Sequence, residues 1–153
     1  KIFFFPKNAI QSVKLNYPSE PENNFEIKLE QSEYVLFHKN QKIESNSNAV
    51  KKYLLNFKSI AAENLLHSSA KDTVLKKINN QNAWFSMSIT NFLGKKTTVE
   101  GYKKKMPVGS TNSIGAPLLY DPDRFYGFCF DNELAILQHY VFDPLLVKKS
   151  DLE

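Results

Sequence analysis

Two aspartates and the chain's single arginine lie together in the stretch Asp121-Pro122-Asp123-Arg124. Two carboxylates separated by one residue can bind a cation or act as acid and base in a hydrolase. They supply too few ligands for calcium, which takes about 6–8 oxygens. A turn into a strand explains the same residues, because Pro122 presets φ, Asp121 caps the turn and Arg124 pairs with a carboxylate. We therefore rank a hydrolase with a carboxylate site last among the candidate functions.

Aromatic and basic side chains in the middle of the chain form a second candidate site. Trp84 and Tyr102, together with the long loop at 106–117, could bind a glycan-type ligand. Lysines at 95–96 and 103–105 bracket the same hairpin and could attract an anionic polymer or lipid headgroups. Lysines that guard the edge of a sheet are the simpler interpretation. The predicted ligand-binding residues are Trp84, Tyr102, Asp121, Asp123 and Arg124.

The other reactive side chains follow no catalytic or metal-binding pattern. His38, His67 and His139 are far apart in the sequence, whereas zinc sites usually pair their ligands locally. Cys129 lies between two phenylalanines, which is typical of a buried, unreactive thiol. The chain contains no nucleophile elbow, phosphate loop or dinucleotide fingerprint. We predict no metal, no cofactor and no enzymatic activity.

Length and composition indicate one folded domain. The chain has 153 residues, 42% of them hydrophobic, and that is enough apolar surface for a core without disulfide bonds. We expect a linker-like start at 1–8, a core at 9–147 and a polar tail at 148–153. The net charge of +4 comes almost wholly from lysine. With a single arginine to read bases or phosphates, a nucleic-acid partner is not expected.

Alternation of apolar and polar residues predicts strands at 9–17, 25–30, 34–37, 83–92, 97–105, 125–130 and 134–140. The last of these is apolar on both faces, so a buried helix remains an alternative there. Turns are predicted at Lys39 to Lys42 and at Leu93 to Lys96, the second because Gly94 can take a positive φ.

Two helices are expected between the strands. Val50, Tyr53, Leu54 and Phe57 recur on one face of a helix, and a brief helical turn follows at 73–78 after the potential cap Asp72. Residues 60–66 fit either a helical extension or a short strand. The predicted class is α+β, a mainly antiparallel sheet of about six to eight strands with one or two helices packed on one face.

The order of these features resembles a bacterial family, the domain of unknown function numbered four-three-four-zero, in the branch common among Bacteroidetes. The resemblance covers about residues 9–147. It is carried by the segments 9–18, 25–29, 50–57, 71–75, YDPDRFY at 120–126 and YVFDPLL at 140–146. It implies a domain outside the cytoplasm, tethered to the membrane by one N-terminal span, and some relatives resemble accessory parts of transport systems. It implies no catalytic residues.

These observations together favour a non-catalytic accessory or protein-interaction domain of a membrane-tethered envelope protein. The expected location is the extracytoplasmic side of the inner membrane, in the periplasm. The partner would be another envelope or membrane protein, and contact with the membrane would come only through a segment upstream of Lys1. The apolar start at 2–5 fits a domain cut free from such an anchor. A glycan-type binding module is the alternative.

Overall fold

A computed structural model describes residues 2–3, 10–129 and 133–153. Within these ranges it contains the strands β1 (Ile2–Phe3), β2 (Ile10–Asn16), β3 (Phe25–Glu30), β4 (Glu33–His38), β5 (Gln41–Ile43), β6 (Ala61–Ala62), β7 (Asn64–Leu65), β8 (Phe85–Asn91), β9 (Lys96–Lys105), β10 (Tyr120–Cys129) and β11 (Glu133–Gln138). The α-helices are α1 (Ser47–Leu55), α2 (Ser68–Ile78) and α3 (His139–Phe142), and 3-10 helices span Pro21–Asn23, Asn56–Ser59 and Lys149–Leu152.

Nine strands form one antiparallel sheet in the order β5-β4-β3-β2-β8-β9-β10-β11-β7, and β1 pairs with β6 in a small second sheet. The predicted α+β class is confirmed. The sheet is wider than the six to eight strands expected, because β5 and β7 are edge strands of only three and two residues. Runs that short carry no alternation that a sequence pattern could reveal.

Two elements begin five residues earlier than the sequence predicts. Helix α2 begins at Ser68 instead of after Asp72, so Asp72 lies inside the helix and does not cap it. Strand β10 begins at Tyr120 instead of Phe125, and an irregularity between these residues interrupts its pairing with β9. A bulge of this kind breaks the alternation that the prediction relied on.

Other predicted features have mixed outcomes. Strand β11 spans Glu133–Gln138, so the alternative of a buried helix over 134–138 is wrong. The strand predicted at 134–140 ends earlier than expected, because His139 and Tyr140 belong to helix α3. Gly94 has a φ of +79° and turns the chain from β8 into β9 as expected. Of the linker-like start predicted at 1–8, Ile2 and Phe3 form strand β1 and the other residues lie outside the described part of the chain. The predicted strand end at 130 also lies outside it.

The main core lies on one face of the sheet. Val13 of β2 stands opposite Ile27 on one neighbouring strand and Ile89 on the other, and all three side chains are buried. Helix α1 covers this face with Val50 and Tyr53, which belong to the same apolar cluster. The predicted amphipathic helix is therefore a core contact, which is the ordinary role of such a stripe.

The C-terminal segment is bound into this core. The buried Tyr53 hydroxyl donates a hydrogen bond of 2.8 Å to the carbonyl oxygen of Leu145. The backbone N–H of Asn46 donates a hydrogen bond of 2.8 Å to the carbonyl oxygen of Leu152, and the side chain of Leu152 is buried. Residues 148–153, predicted as a polar tail, thus contribute an apolar side chain to the core and hydrogen-bond Asn46, the residue that caps α1.

A smaller apolar cluster lies on the other face. Val74 and Ile78 of α2 pack there with Tyr126 of β10 and Leu134 of β11. Tyr126 and Leu134 are sequence neighbours of Phe125 and Ala135, which belong to the main core. Since successive side chains of a strand point to opposite faces, α2 covers the face opposite to α1. The sheet therefore carries α1 and α2 on opposite faces, with α2 over β10 and β11.

Two glycines permit close packing in the centre of the sheet. Gly101 of β9 stands opposite Phe85 on one side and Gly127 of β10 on the other. A Cβ atom on Gly101 would overlap the ring of Phe85, and one on Gly127 would overlap the side chain of Leu137. Because the two glycines have no side chains, the Phe85 ring and the Leu137 side chain can occupy that space.

We predict that Gly101→Ala destabilises the fold by about 1–3 kcal/mol, the usual cost of overpacking a core. The added methyl group would displace Phe85, although alanine in a strand is otherwise preferred over glycine. Urea denaturation measures the free energy of unfolding. Thr98→Ala, on the same strand but on its exposed face, is the matched control and should change stability little. Unchanged or higher stability of Gly101→Ala would show that Phe85 does not occupy this space.

Candidate functional site

A cavity of about 440 Å³ opens at one end of the main core. Its walls come from five parts of the chain: the turn after β2, the segment before β8, Lys103 of β9, Tyr120 of β10 and the segment around Leu146 and Lys148. Small-molecule sites commonly measure about 300–1,000 Å³. The volume is sufficient for a small ligand, and the lining is mostly polar.

Trp84 forms the apolar part of the cavity wall. Its ring packs edge-on against Phe85 and Phe125, with centroid distances of 5.3 and 5.4 Å, and a tilted His139 ring lies 5.4 Å away. Its backbone N–H donates a 2.7 Å hydrogen bond to the carbonyl oxygen of Gly101. The side chain is half-buried, so it is fixed by the core and still presents surface to the cavity.

Lys103 places a positive charge between two rings of the cavity wall. Its Nζ lies 5.1 Å from the centroid of Trp84 and 5.3 Å from that of Tyr120. An ammonium group is attracted to the negative face of an aromatic ring at such distances. Within residues 10–129 and 133–153, Lys103 forms no ion pair with a carboxylate. The charge is thus oriented by the rings but not neutralised.

Polar side chains complete the cavity. Asn23 donates a 2.7 Å hydrogen bond from Nδ2 to the Glu20 carboxylate, which holds that carboxylate against the wall. Gln81, Asn82 and Ser19 add amide and hydroxyl groups, and Lys148 adds a second ammonium group. The formal charge of the lining is +1, from Lys103 and Lys148 against Glu20.

Tyr17 ties the C-terminal wall to the rest of the cavity. Its hydroxyl donates a 2.7 Å hydrogen bond to the carbonyl oxygen of Val147, between the cavity residues Leu146 and Lys148. Burial raises the pKa of the Tyr17 phenol, and the nearby carboxylates of Asp151 and Glu20 raise it further. The phenol is therefore a stable hydrogen-bond donor at neutral pH and holds the wall in place.

Of the predicted ligand-binding residues, Trp84 lies in the cavity and Tyr102 does not. Tyr102 packs with Phe128 on the opposite face of the sheet, and its hydroxyl donates to Glu100. Burial and this carboxylate raise the pKa of Tyr102 to about 12. The predicted pair of aromatic residues is therefore separated by the sheet, because Lys103, one residue further along β9, is the side chain that faces Trp84.

Asp121 forms the turn that the sequence predicts. One of its carboxylate oxygens accepts hydrogen bonds from the backbone N–H groups of Asp123 and Arg124, at 2.8 and 3.1 Å. Burial alone would raise the pKa of Asp121, but these two hydrogen bonds and the charge of Lys104 outweigh it and lower the pKa. A lowered pKa keeps the group ionised and does not suit a general acid at neutral pH. Neither Asp121 nor Asp123 lines the cavity.

Arg124 binds a carboxylate, as expected, but a distant one. Its Nε and Nη2 atoms donate hydrogen bonds of 2.7 and 3.1 Å to the two oxygens of Glu63, between β6 and β7. This bidentate contact lowers the pKa of Glu63. Asp121, Asp123 and Arg124 therefore serve a bulge and a cross-strand ion pair in the structure.

Cys129 is buried, and burial raises the pKa of its thiol to about 12, with a smaller effect from Glu133. Across the described ranges, no three histidine, cysteine or acidic side chains are placed to hold a metal ion. The described part of the chain also contains no helix that is both long and apolar enough to cross a membrane.

A second surface projects beyond the sheet where β9 leads into β10. Residues 106–119, which include the loop predicted at 106–117, form a hydrogen-bonded ribbon. In it the N–H of Met106 donates to the carbonyl oxygen of Leu119 and that of Leu118 to the carbonyl oxygen of Ser110, each at 2.9 Å. At its tip the side-chain oxygen of Asn112 accepts hydrogen bonds from the N–H groups of Ile114 and Ala116. The ribbon is thus held by its own hydrogen bonds.

The ribbon carries apolar side chains into solvent. Val108 is fully exposed, and Ile114 and Leu119 are 86% and 74% exposed. Single exposed apolar residues are common on protein surfaces, but several on one projection are typical of an interaction site.

Comparison of the chain with protein-family models, with curated proteins and with solved structures found no match. The family resemblance therefore remains a prediction, and the cavity and the ribbon are the features of the structure that bear on function. Sequence reasoning missed Tyr120, Glu20 and Lys148 as cavity residues, since no local pattern joins positions so far apart. The signal available was the aromatic and basic character around Trp84 and Lys103.

The buried phenols predict a loss of stability at high pH. Burial raises the pKa of Tyr17 and Tyr53 in the folded state, whereas an unfolded tyrosine ionises near pH 10. Above about pH 10 the unfolded chain therefore binds fewer protons, and the free energy of unfolding falls as pH rises. Urea denaturation measures the free energy of unfolding from about pH 9 to 11, and this free energy should fall less steeply with pH for Tyr17→Phe than for the wild type. Tyr140→Phe, at an exposed ring, is the control and should retain the wild-type slope; a Tyr17→Phe slope equal to the wild type would contradict the assignment.

Proposed function

We propose that this chain is a non-catalytic protein-interaction domain of a membrane-tethered envelope protein, accessory to a transport system. The observation that carries the proposal is the ribbon at 106–119, which presents Val108, Ile114 and Leu119 to solvent on a hydrogen-bonded backbone. Burying such side chains against a partner gains about 25 cal/mol per Å² of apolar surface. A projection that is already ordered also loses little conformational entropy on binding.

The contacts made by Asp121 and Arg124 support a non-catalytic role. Asp121 has a lowered pKa and is occupied by two backbone N–H groups, and Arg124 is occupied by Glu63. The location outside the cytoplasm, the tether and the transport system rest on the family resemblance alone.

A photo-crosslinking amino acid placed at Ile114 in the source cells should give one discrete adduct with an envelope or membrane protein. The same amino acid at Thr98, which is exposed on the open face of the sheet, is the control and should give none. Mass spectrometry identifies the adduct, and fractionation of the cells shows whether the chain lies in the envelope. Equal labelling at both positions, or none at Ile114 in cells that contain the folded chain, would refute the interaction surface. A cytoplasmic chain would refute the location.

A further inference from the structure

We propose that the cavity beside Trp84 binds an acidic saccharide, meaning a sugar that carries a carboxylate. This site is independent of the ribbon and of the partner proposed above. The inference starts from the positive charge of the cavity. Lys103 and Lys148 face it, and Glu20, the carboxylate in the lining, already accepts a hydrogen bond from Asn23.

Lys103 is the group that would receive the carboxylate of the ligand. The rings of Trp84 and Tyr120 hold its ammonium group in position, at 5.1 and 5.3 Å from their centroids. No carboxylate of the described residues pairs with it. An aromatic ring attracts the ammonium charge without forming the hydrogen bonds that a carboxylate would form. The N–H groups of a cation held in this way are therefore available to a ligand. An incoming carboxylate can therefore pair with a charge that needs no reorientation.

The remaining wall suits the hydroxyl groups of a sugar. Gln81, Asn82 and Ser19 carry groups that both donate and accept hydrogen bonds, as a hydroxyl requires. Tyr120 is 41% exposed, so part of its ring is free to contact the apolar C–H face of a sugar ring. The Gln81 amide already donates a 3.3 Å hydrogen bond to the carbonyl oxygen of Lys77, but a purely apolar ligand would remove water from Asn82 and Ser19 without replacing its hydrogen bonds, which is costly.

A saccharide also fits better than a nucleotide. Lys103 already covers one face of both Trp84 and Tyr120, so the two rings cannot hold a base between them, whereas a sugar needs only the exposed part of Tyr120. Inorganic phosphate or a simple carboxylate would satisfy the lysines and leave the amide groups unused. A sugar carboxylate uses the charge, the amides and the aromatic surface together, within a volume of about 440 Å³.

The chain provides its own probe of binding, because Trp84 is its only tryptophan. Titration with D-glucuronate, followed by intrinsic fluorescence, should give a saturable change. D-glucose tests the need for the carboxylate, acetate tests the need for the sugar, and uridine monophosphate tests the nucleotide alternative. We expect each to bind at least about tenfold more weakly than glucuronate. The absence of saturation with glucuronate at millimolar concentration, or equal or tighter binding of any of the other three, would overturn the proposal.

Substitutions locate the site. Lys103→Met retains the aliphatic stem and removes the charge, so binding of glucuronate, measured by calorimetry, should weaken at least about tenfold. Lys105→Met, on the same strand but outside the cavity, should bind as the wild type does. Circular dichroism checks the fold, and Lys148→Met, at an exposed position, replaces Lys103→Met if that variant does not fold. Wild-type affinity in a folded Lys103→Met or Lys148→Met variant would contradict the assignment. None of these experiments involves the ribbon, so a negative result here would overturn the saccharide site and leave the proposed protein-interaction surface unaffected.

Discussion

The contact between Phe85 and the backbone of Gly101 is the constraint on which this structure depends most. The Phe85 ring occupies the space where a side chain of β9 would stand, and Gly127 continues the gap on β10 for Leu137. Because the ring lies against the sheet, Trp84 packs at its edge and against Phe125. Two residues beyond Gly101, Lys103 emerges on the same face and meets Trp84. The apolar centre of the sheet thus determines where the cavity lies.

The C-terminal segment closes the cavity by hydrogen bonds from two phenols. Tyr17 and Tyr53 donate to the carbonyl oxygens of Val147 and Leu145, positions remote in sequence from both. Each phenol keeps its proton because burial disfavours the charged form. The stability of the fold and the shape of the cavity wall therefore depend on the same two contacts.

The cavity and the ribbon differ in the kind of recognition proposed for them. The cavity is small, polar and positively charged, and its residues Trp84 and Tyr17 are fixed by core packing and a hydrogen bond. The ribbon is apolar and projects away from the core, with its order supplied by its own turns. A small charged ligand suits the first and a protein surface suits the second, so one domain can offer both without overlap in residues.

The sequence alone determined the class of fold, most strand positions and helix α1, because alternation and helical periodicity are local properties of the chain. It also identified Trp84 as a candidate ligand contact and Asp121 as a turn residue. The tertiary structure decided that Tyr102 faces away from Trp84, that Arg124 pairs with Glu63 and that Glu20, Tyr120 and Lys148 join Lys103 in one cavity. The physical reason is that these relations depend on sheet register, on a bulge and on strand order, and each of them brings together residues that no pattern along the chain connects.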